Sequence, residues 1–542
     1  MQNSSSTLHW AFKLFAVGCL FLAGAVNVLS GTAAELPERL ISADFGQVKG
    51  PLNTAFKECV GAGRANEGLR ADWQQQLARV HKECGFTYIR MHGLLTDDMG
   101  VYRDSSQPEY NWQYVDQLYD FLHSIGMKPF VELGFMPSDL ASGTQTIFWW
   151  KGNVTPPKDY RKWGDLIHAF TEHVTERYGE DEVKTWYFEV WNEPNLGGFF
   201  SGTQQDYFHM YDVAAKAIKS VSPGYRVGGP ATAGCGWISD FITFCATNHS
   251  PVDFVSTHTY GVDQGFLDEN GRRGTVLSKN PEAIFGEMIE TRKTIRDSQL
   301  PNLELHFTEW SSSYTPSDPY HDSYQSAAYI LDKIRHTGDA VNSMSYWTFT
   351  DIFEEAGPRF TPFHGGFGLL NYQGIKKPAY FSYLFLNKLG PTELKNDDRQ
   401  SWATLKPDGS VQILLWDYTY TLPDGVNDQQ FYVRDLPPES KGTVDVEVGG
   451  LHKGQYGLTT WRVGYWQNDA HSAYVAMGSP RQLSKAQVSA LKAVASGKPA
   501  PSEPIEVTWS GVFRKSVRLR ENDVVLLVLT PVQTGERAAA LR

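Results

Sequence analysis

The sequence predicts an α/β fold, a (β/α)8 TIM barrel, with an accessory antiparallel β-sandwich domain. Between about residues 57 and 390, eight runs rich in β-branched and aromatic residues alternate with amphipathic stretches of helical period. After Gly390 the chain changes to short alternating segments separated by Pro, Gly and Asp. The 542 residues exceed the size of most single domains, so both units fit.

The predicted barrel strands are short and mostly apolar. In chain order they are "ECVGAG" (58–63), "TYIRMHG" (87–93), "KPFVELGF" (128–135), "WYFEVWN" (186–192), "RVGGPA" (226–231), "DFVSTHTY" (253–260), "LELHFTEW" (303–310) and "NSMSYWTFT" (342–350). Helices are predicted between them, for example over 71–85, 114–126, 163–179, 207–221 and 323–338. The last helix, 378–390, begins with Pro and ends with Gly, which are helix start and stop signals.

Residues 1–34 resemble a secretory signal peptide. Lys13 precedes the apolar run 14–29, and the small residues that follow suit cleavage after Ala34. A membrane anchor needs about 20 apolar residues, and this stretch is shorter. A lipoprotein modified at Cys19 is disfavoured because the apolar run continues past that cysteine. We therefore expect a secreted or periplasmic protein without stable membrane insertion after cleavage.

The remaining chain divides into three parts. Residues 35–56 are predicted to join the β-sandwich, because 38–47 reads as a strand. Residues 57–390 form the catalytic barrel. Residues 391–542 form the rest of the sandwich, with a helical insertion near 483–497.

Composition excludes several classes of function. The net charge is −12 and no Lys/Arg run occurs, so nucleic acid is not an expected partner. The motifs HExxH, CxxC, GxGxxG and the P-loop are absent, and we expect neither a metal nor an organic cofactor. The 16 Trp and 26 Tyr suit a protein that packs flat apolar faces against sugar rings, although such residues are also ordinary core material. The oligomeric state stays open.

Four cysteines follow the predicted leader: Cys59, Cys84, Cys235 and Cys245. Export permits disulfides, and Cys59 with Cys84 or Cys235 with Cys245 could pair. Four cysteines in a chain of this length do not make a disulfide scaffold, so buried free thiols are favoured.

Active sites of such barrels lie at the C-terminal ends of the strands. Polar and aromatic residues occupy these ends on most of the predicted strands: His92, Glu132, Asn192, Glu193, His258, Tyr260, Glu309, Trp310, Trp347 and Asp351. Hydrolysis of an acetal needs two carboxylates, one that protonates the leaving oxygen and one that attacks carbon or activates water. Glu193 and Glu309 form the natural pair.

Two neighbours of Glu193 have different predicted roles. The amide of Asn192 is placed to donate to a sugar 2-hydroxyl. Glu189 lies four residues upstream, and period-two alternation puts it on the same side as Glu193 but deeper in the barrel. We expect a structural hydrogen-bonding role for Glu189.

These motifs carry a family resemblance. "WNEPN" on the fourth strand and "FTEW" on the seventh resemble the retaining (β/α)8 glycosidases with catalytic glutamates on strands four and seven. "MHGLLTDDM" (91–99), "FVELGFMP" (130–137), "VSTHTYG" (255–261) and "YWTFTDIFEEAG…FHGGFGLL" (346–370) resemble glycoside hydrolase family 39, and its bacterial β-xylosidases in particular. The resemblance runs from about residue 40 to about residue 400.

The resemblance implies that Glu193 is the acid/base and Glu309 the nucleophile. It also implies that a further set contacts the bound sugar: His92, Asn192, His258, Tyr260, Trp347, Glu354 and Glu355. Of the last two, Glu355 is preferred as the direct contact. The peptide bond between Trp347 and Thr348 is implied to be cis. The activity implied is that of a retaining exo-β-1,4-xylosidase, which releases xylose from the non-reducing end of xylo-oligosaccharides by double displacement.

Two alternatives remain open at this point. One is a family 39 enzyme for another substrate, such as an α-L-iduronidase or an exopolysaccharide endo-hydrolase. A uronic acid would call for a cationic clamp, and the motif-matched rim residues include no obvious Lys/Arg set, although Arg90 and Arg359 lie close to them in sequence. The other is a non-catalytic carbohydrate-binding barrel, against which the presence of both glutamates argues.

Overall fold

The computed structural model describes residues 39–263, 266–267 and 273–532, so the predicted signal peptide lies outside the described residues. Eight parallel strands close into a barrel in which each strand pairs with its neighbours in chain order. They are β1 (Cys59–Arg64), β2 (Tyr88–His92), β3 (Lys128–Leu133), β4 (Tyr187–Val190), β5 (Arg226–Thr232), β6 (Phe254–Tyr260), β7 (Glu304–Ser311) and β8 (Ser343–Tyr346). The predicted (β/α)8 barrel is confirmed.

A helix follows each barrel strand and packs an apolar face against it. The helices are α1 (Ala71–Cys84), α2 (Gln113–Ser124), α3 (Tyr160–Tyr178), α4 (Gln204–Val221), α5 (Ile238–Asn248), α6 (Phe285–Arg296), α7 (Gln325–Thr337) and α8 (Pro378–Leu386). In α3, Trp163, Leu166, Ile167 and Phe170 are buried at the spacing of one helical face. Among the described residues, no helix has both the length and the apolar character to cross a membrane.

The eighth strand is shorter than predicted. It ends at Tyr346, whereas the apolar pattern continues to residue 350. The residues that follow bond both to the barrel and to a later loop. Trp347 N donates to Trp310 O of β7 and Phe349 N to Gly61 O of β1, whereas Thr348 N donates to Phe367 O and Asp351 N to Leu370 O. The chain therefore turns across the C-terminal rim of the barrel here.

The accessory domain consists of two sheets. The larger has seven strands, ordered Val48–Pro51, Thr392–Leu394, Ser401–Leu405, Val411–Trp416, Val524–Pro531, Gly454–Val463 and Glu503–Val507. The smaller has three, ordered Arg39–Asp44, Ser440–Gly449 and Phe513–Arg520. Ile41, Val446, Leu458 and Leu527 belong to the apolar core between them. Arg39–Asp44 runs parallel to Ser440–Gly449, the one parallel pairing within these two sheets.

Shorter elements complete the described chain. Helices cover Glu180–Val183, Asp428–Phe431, Ala470–Ala476 and Lys485–Val494, and 3-10 turns cover Ala55–Lys57, Ala65–Leu69, Asp97–Met99, Ala233–Cys235 and Pro319–His321. Small two-stranded pairs join Tyr102–Asp104 to Pro108–Tyr110, Thr146–Ile147 to Gly152–Asn153, and Phe266–Leu267 to Arg273–Gly274. In the helix Lys485–Val494, Ser484 and Gln487 form a capping box.

The barrel and the larger sheet share one apolar core. Trp402, Trp416 and Leu526 of the sheet belong to the same buried cluster as the barrel helices, and so does Leu491 of the helix Lys485–Val494. The described residues from Arg39 onward accordingly form one compact unit. The four cysteines of the described chain are free, and Cys59, Cys84 and Cys245 are buried.

Candidate active site

A cavity of about 400 Å³ opens at the C-terminal ends of the barrel strands. Seven of the predicted site residues line it or lie directly against it: His92, Asn192, Glu193, His258, Tyr260, Glu309 and Trp347. Glu355 also lines the cavity. Eight of the nine sequence candidates are thus brought together, from β2, β4, β6, β7 and the loop after β8.

Arg90 on β2 is fully buried beneath this cavity. Its Nε donates to Oε2 of Glu189 at 2.5 Å, its Nη1 to Oε1 of Glu309 at 2.8 Å, and its Nη2 to Oδ1 of Asn192 at 2.9 Å. One guanidinium therefore fixes three side chains, because its donors lie in a rigid plane. Arg90 is committed to these bonds, which leaves it unsuited to clamp a uronic acid.

Glu189 lies one layer below the cavity, as its place in the strand predicts. It is fully buried, and its carboxylate accepts from Arg90 and from Oγ1 of Thr308 at 2.7 Å. It does not line the cavity. Its contacts are those of a structural hub.

Glu309 has both carboxylate oxygens occupied by donors. Oε1 accepts from Arg90, and Oε2 accepts from the Tyr260 hydroxyl at 2.6 Å. Donors directed at a carboxylate stabilise its charged form. Burial raises the pKa of Tyr260 well above its usual value, and the nearby charge of Glu309 raises it further. The hydroxyl therefore keeps its proton and stays a donor. The environment suits a carboxylate nucleophile.

Glu193 is held at the exit of β4 by a strained turn. Its φ is +46° and that of Trp191 is +75°, a left-handed conformation that costs non-glycine residues of order 1–3 kcal/mol. Glu193 N donates to Ala231 O at 2.8 Å, and Trp191 Nε1 donates to Phe199 O at 2.9 Å. These bonds hold the turn in place, and the carboxyl of Glu193 faces the cavity.

The two glutamates differ in their electrostatic surroundings. Burial raises the pKa of Glu193 to about 7, although the nearby His92 and Arg90 partly oppose the shift. Glu193 therefore carries a proton up to near-neutral pH, while the charge of Glu309 is paired with Arg90. Two carboxyl groups in such contrasting environments suit one acid and one nucleophile.

The carboxyl groups of Glu193 and Glu309 are close together. One oxygen of each, with a ring nitrogen of His258, lies within 4.8 Å of the other two atoms. Retaining glycosidases place the two groups about 5–5.5 Å apart, whereas inverting enzymes separate them by about 6.5–9.5 Å. The spacing fits retention. These three residues also form the set of described side chains whose spacing could hold a metal ion.

His258 links Glu193 to the buried hub. Its Nδ1 lies 2.9 Å from Oε1 of Glu193, and its Nε2 lies 3.1 Å from Oγ1 of Thr308. Burial lowers the pKa of His258 to about 4, so the ring is neutral at physiological pH. Thr308 already donates its hydroxyl proton to Glu189, so its oxygen must accept from Nε2–H. We therefore assign the bare nitrogen to Nδ1, which accepts the proton of Glu193.

His92 and Trp347 form one wall of the cavity. The ring centroids are 4.7 Å apart, and the guanidinium of Arg90 lies 5.9 Å from the Trp347 ring. Nδ1 of His92 contacts Oε2 of Glu132 at 2.6 Å, and burial lowers the pKa of His92 to about 4. A Cβ on Gly61 would overlap the Trp347 ring, so glycine is required behind it. The Trp347–Thr348 peptide is cis.

Glu354 and Glu355 point in different directions. Burial, with Glu309 as the largest charged contribution, raises the pKa of Glu355 well above its ordinary value. Glu354 is turned away and accepts from Arg64 Nη2 at 2.8 Å and Arg70 Nη1 at 3.0 Å. The expectation that Glu354 contacts the sugar is therefore corrected, since its carboxylate is occupied by two arginines outside the cavity.

Other lining residues were not singled out from the sequence. They come from the loops after β4 to β8 and from the first turn of α6: Leu196, Phe199, Ala233, Gly234, Val262, Glu287, Tyr314 and Phe367. Phe367 lies in the "FHGGFGLL" segment, whose glycines signal a close approach of backbone. No sequence pattern marks Glu287, which lies at the start of a helix.

A family model for glycosyl hydrolases family 39 matches residues 39–512. The chain belongs to glycosyl hydrolase family 39. This family 39 member is accordingly a glycoside hydrolase, and the resemblance seen in its motifs is confirmed. It is 41% identical over 487 residues to a β-xylosidase of Geobacillus stearothermophilus, covering 88% of this chain and 93% of that protein. A β-xylosidase of Caldicellulosiruptor saccharolyticus is 40% identical over 458 residues, covering 83% and 90%.

Solved structures agree in fold with this family 39 enzyme. A monomeric β-xylosidase from Caulobacter crescentus CB15 has a TM-score of 0.88 and 44% identity, over 91% of this chain and 100% of that one. A GH39 enzyme from Xanthomonas axonopodis pv. citri has a TM-score of 0.90 and 43% identity, over 93% and 100%. Human α-L-iduronidase is 32% identical over a shorter span, 36% of this chain and 30% of that protein.

Proposed function

We propose that this family 39 enzyme is a retaining exo-β-1,4-xylosidase that releases xylose from the non-reducing end of xylo-oligosaccharides. The observation that carries the proposal is the close pair of glutamates in contrasting environments. Glu193 is the buried acid with a raised pKa, and Glu309 is the carboxylate paired with Arg90. The β-xylosidases that share most of the chain support the choice of xylose.

In the first step Glu309 attacks the anomeric carbon of the terminal sugar. The C1–O bond to the leaving group breaks as a bond from C1 to a carboxylate oxygen of Glu309 forms. Glu193 gives its proton to the departing oxygen, so the leaving sugar departs as a neutral alcohol. Arg90 and Tyr260 fix the orientation of the attacking carboxylate.

In the second step water replaces the leaving sugar. Glu193, now a carboxylate, takes a proton from this water, and the oxygen attacks C1. The bond to Glu309 breaks, and β-xylose leaves. Glu193 is again protonated, which completes the cycle. Two displacements at C1 retain the β configuration.

The remaining residues recognise the sugar. Oδ1 of Asn192 accepts from Arg90, which leaves its Nδ2 to donate to the 2-hydroxyl. Glu355 is placed to bind a hydroxyl group, and Trp347 offers an apolar face to the ring. The alternative of a uronic acid substrate lacks support, because Arg90 is buried and bonded to Glu189, Glu309 and Asn192. The other candidate, Arg359, does not line the cavity.

The substrate and stereochemistry are tested together. Purified enzyme is assayed on a panel of aryl β-D-xylosides, α-L-arabinosides, β-D-glucosides and α-L-iduronides, and the product anomer is followed by NMR. We expect the β-xyloside to be cleaved best and β-xylose to appear before mutarotation. α-Xylose as the first product would overturn the retaining mechanism, and a preferred iduronide would overturn the substrate.

We further propose that the enzyme is exported. The observations are those of the leader: Lys13, the apolar run 14–29 and small residues before Glu35. Expression with the leader, followed by N-terminal sequencing of the protein outside the cytoplasm, should give a chain that begins at Glu35. Uncleaved protein retained in the cytoplasm would contradict export.

A further inference from the structure

A second cavity of about 360 Å³ adjoins the active site. Gly234 and Glu287 line both cavities, so the two spaces meet at these residues. The second cavity, here called the outer compartment, lies between the first turns of α5 and the exposed side of α6. Its walls include Trp237, Ser239, Asp240, Glu290 and Thr294. Its volume lies in the range of small-ligand sites, roughly 300–1,000 Å³.

The outer compartment lies on the side of the active site from which the leaving group departs. The leaving oxygen must face Glu193, because that residue protonates it. Glu193 N donates to Ala231 O at 2.8 Å, which ties the acid to the end of β5. Gly234 follows three residues later. A sugar chain that extends away from the scissile bond on this side meets Gly234 and then the outer compartment.

The wall between the two cavities is built by the same motif that carries the acid. Asn195, the last residue of "WNEPN", donates from Nδ2 to Ala233 O at 2.9 Å and accepts at Oδ1 from Ala233 N at 2.9 Å. The wall is strained, since Cys235 has a φ of +56° and Trp237 a φ of +62°. Strain of this kind is concentrated at functional sites.

Gly234 lies at the border of the two cavities. Its φ is +60°, and a Cβ built on it would meet no described atom within 4 Å. A side chain here would therefore project into open space at this border. Glycine is the residue that adopts this conformation without strain and leaves that space clear.

The chemistry of the outer compartment fits a neutral sugar. Asp240, Glu287 and Glu290 supply carboxylates that accept from hydroxyl groups, while Ser239 and Thr294 supply hydroxyls. Trp237 adds an aromatic surface. Three carboxylates disfavour an anionic ligand by like-charge repulsion. Glu287 accepts from the Thr259 hydroxyl on β6, which fixes it beside the active site.

We propose that the outer compartment binds the second sugar of the leaving group. This inference rests on the proposed xylosidase function. A xylobiose substrate supplies one leaving sugar and does not reach the compartment, whereas xylotriose supplies two and does. The compartment thus favours oligosaccharides of three or more residues and disfavours those with a uronic acid at this position.

Blocking the outer compartment tests the proposal. Ser239→Trp places a large ring in it at an exposed position, and Glu290→Gln removes one acceptor charge while keeping the side-chain shape. We measure kcat/KM for xylotriose and for xylobiose. The ratio of the two should fall about tenfold in Ser239→Trp and about threefold in Glu290→Gln. Glu172→Gln, at an exposed position on α3, is the matched control and should keep the wild-type ratio.

The outcomes separate the two proposals. If the wild-type enzyme cleaves no β-xyloside, the xylosidase function is wrong and the assignment of the compartment falls with it. If the wild-type enzyme cleaves both substrates and both variants keep its ratio, the compartment assignment alone is wrong. An equal loss on both substrates in Ser239→Trp and Glu290→Gln would also overturn it, because the effect would then be structural.

Discussion

Nη1 of Arg90 donates to Oε1 of Glu309 at 2.8 Å, with the guanidinium fully buried and the carboxylate nearly so. This ion pair connects Arg90, beneath the cavity, to the nucleophile Glu309. Arg90 also bonds Glu189 and Asn192, so one cation sets the positions of the nucleophile and of the amide that meets the 2-hydroxyl.

Removing Arg90 should destabilise the fold as well as the site. Arg90→Ala leaves buried carboxylates without their cation, a change that costs about 3–5 kcal/mol. We expect that loss in the free energy of unfolding, measured by denaturant titration. Arg103→Ala breaks an exposed pair with Glu109, 3.7 Å apart, and should cost less than about 1 kcal/mol. Equal losses in the two variants would contradict the central role of Arg90.

The two glutamates should respond differently to truncation. Glu309→Ala removes the nucleophile and should abolish turnover of every β-xyloside. Glu193→Ala should still form the glycosyl-enzyme from an aryl xyloside whose leaving group needs no proton. Added azide should then give β-xylosyl azide from Glu193→Ala and α-xylosyl azide from Glu309→Ala. The opposite anomers, identified by NMR, would reverse the assigned roles.

The basic limb of the pH profile should belong to Glu193. Its pKa is raised to about 7, and the protonated form is the one that acts, so kcat/KM should fall as the pH rises above about 7. On a substrate with a poor leaving group, Glu193→Gln should lose about 10²–10⁴-fold in rate. On an activated substrate the variant should lose the basic limb. An unchanged limb would assign it to another group.

Thr308 should tune the acid through His258. Thr308→Val removes the acceptor for Nε2–H, so the proton can move to Nδ1 and stabilise the ionised form of Glu193. The basic limb should therefore shift to lower pH. Thr308→Ser keeps the hydroxyl and should keep the wild-type profile. A shift in both variants, or in neither, would contradict the assigned tautomer.

Substitutions of Glu355 and of Glu354 should have different effects on the kinetics. Glu355→Ala removes a cavity contact, and the loss of one hydrogen bond to this neutral acid, about 0.5–1.5 kcal/mol, should lower kcat/KM by roughly threefold to tenfold. Glu354→Ala should leave KM within about twofold and lower the melting temperature, because its bonds are to Arg64 and Arg70. A larger kinetic effect at Glu354 would reverse this assignment.

Much of the barrel follows from the sequence, because strands buried on both faces have a clear apolar pattern. The predicted fourth strand, 186–192, contains the observed β4, Tyr187–Val190. The pattern fails at the end of β8, where some residues still bond to the barrel and others, such as Thr348, bond to the loop around Phe367. An apolar residue type indicates that a residue is buried. It does not indicate which segment its backbone is hydrogen-bonded to.

The site residues at strand ends could be predicted from the sequence. Those whose orientation depends on a loop could not. Glu193 and Glu309 follow apolar strands, and period two could also have placed Arg90 on the same face as His92. The choice between Glu354 and Glu355 depends on how a loop turns, since adjacent residues offer the same chemistry. The wall at Cys235 and Trp237 depends on left-handed backbone that no local composition signals.

The parallel pairing of Arg39–Asp44 with Ser440–Gly449 has a consequence for biosynthesis. Arg39 pairs with Val444, so the strand made first waits for a partner about 400 residues later. The barrel lies between them in the chain, so all of its residues are synthesised before that partner emerges from the ribosome. Domains generally fold as units during synthesis. We therefore expect the smaller sheet of the sandwich to form last, and early termination of translation would leave its first strand without a partner.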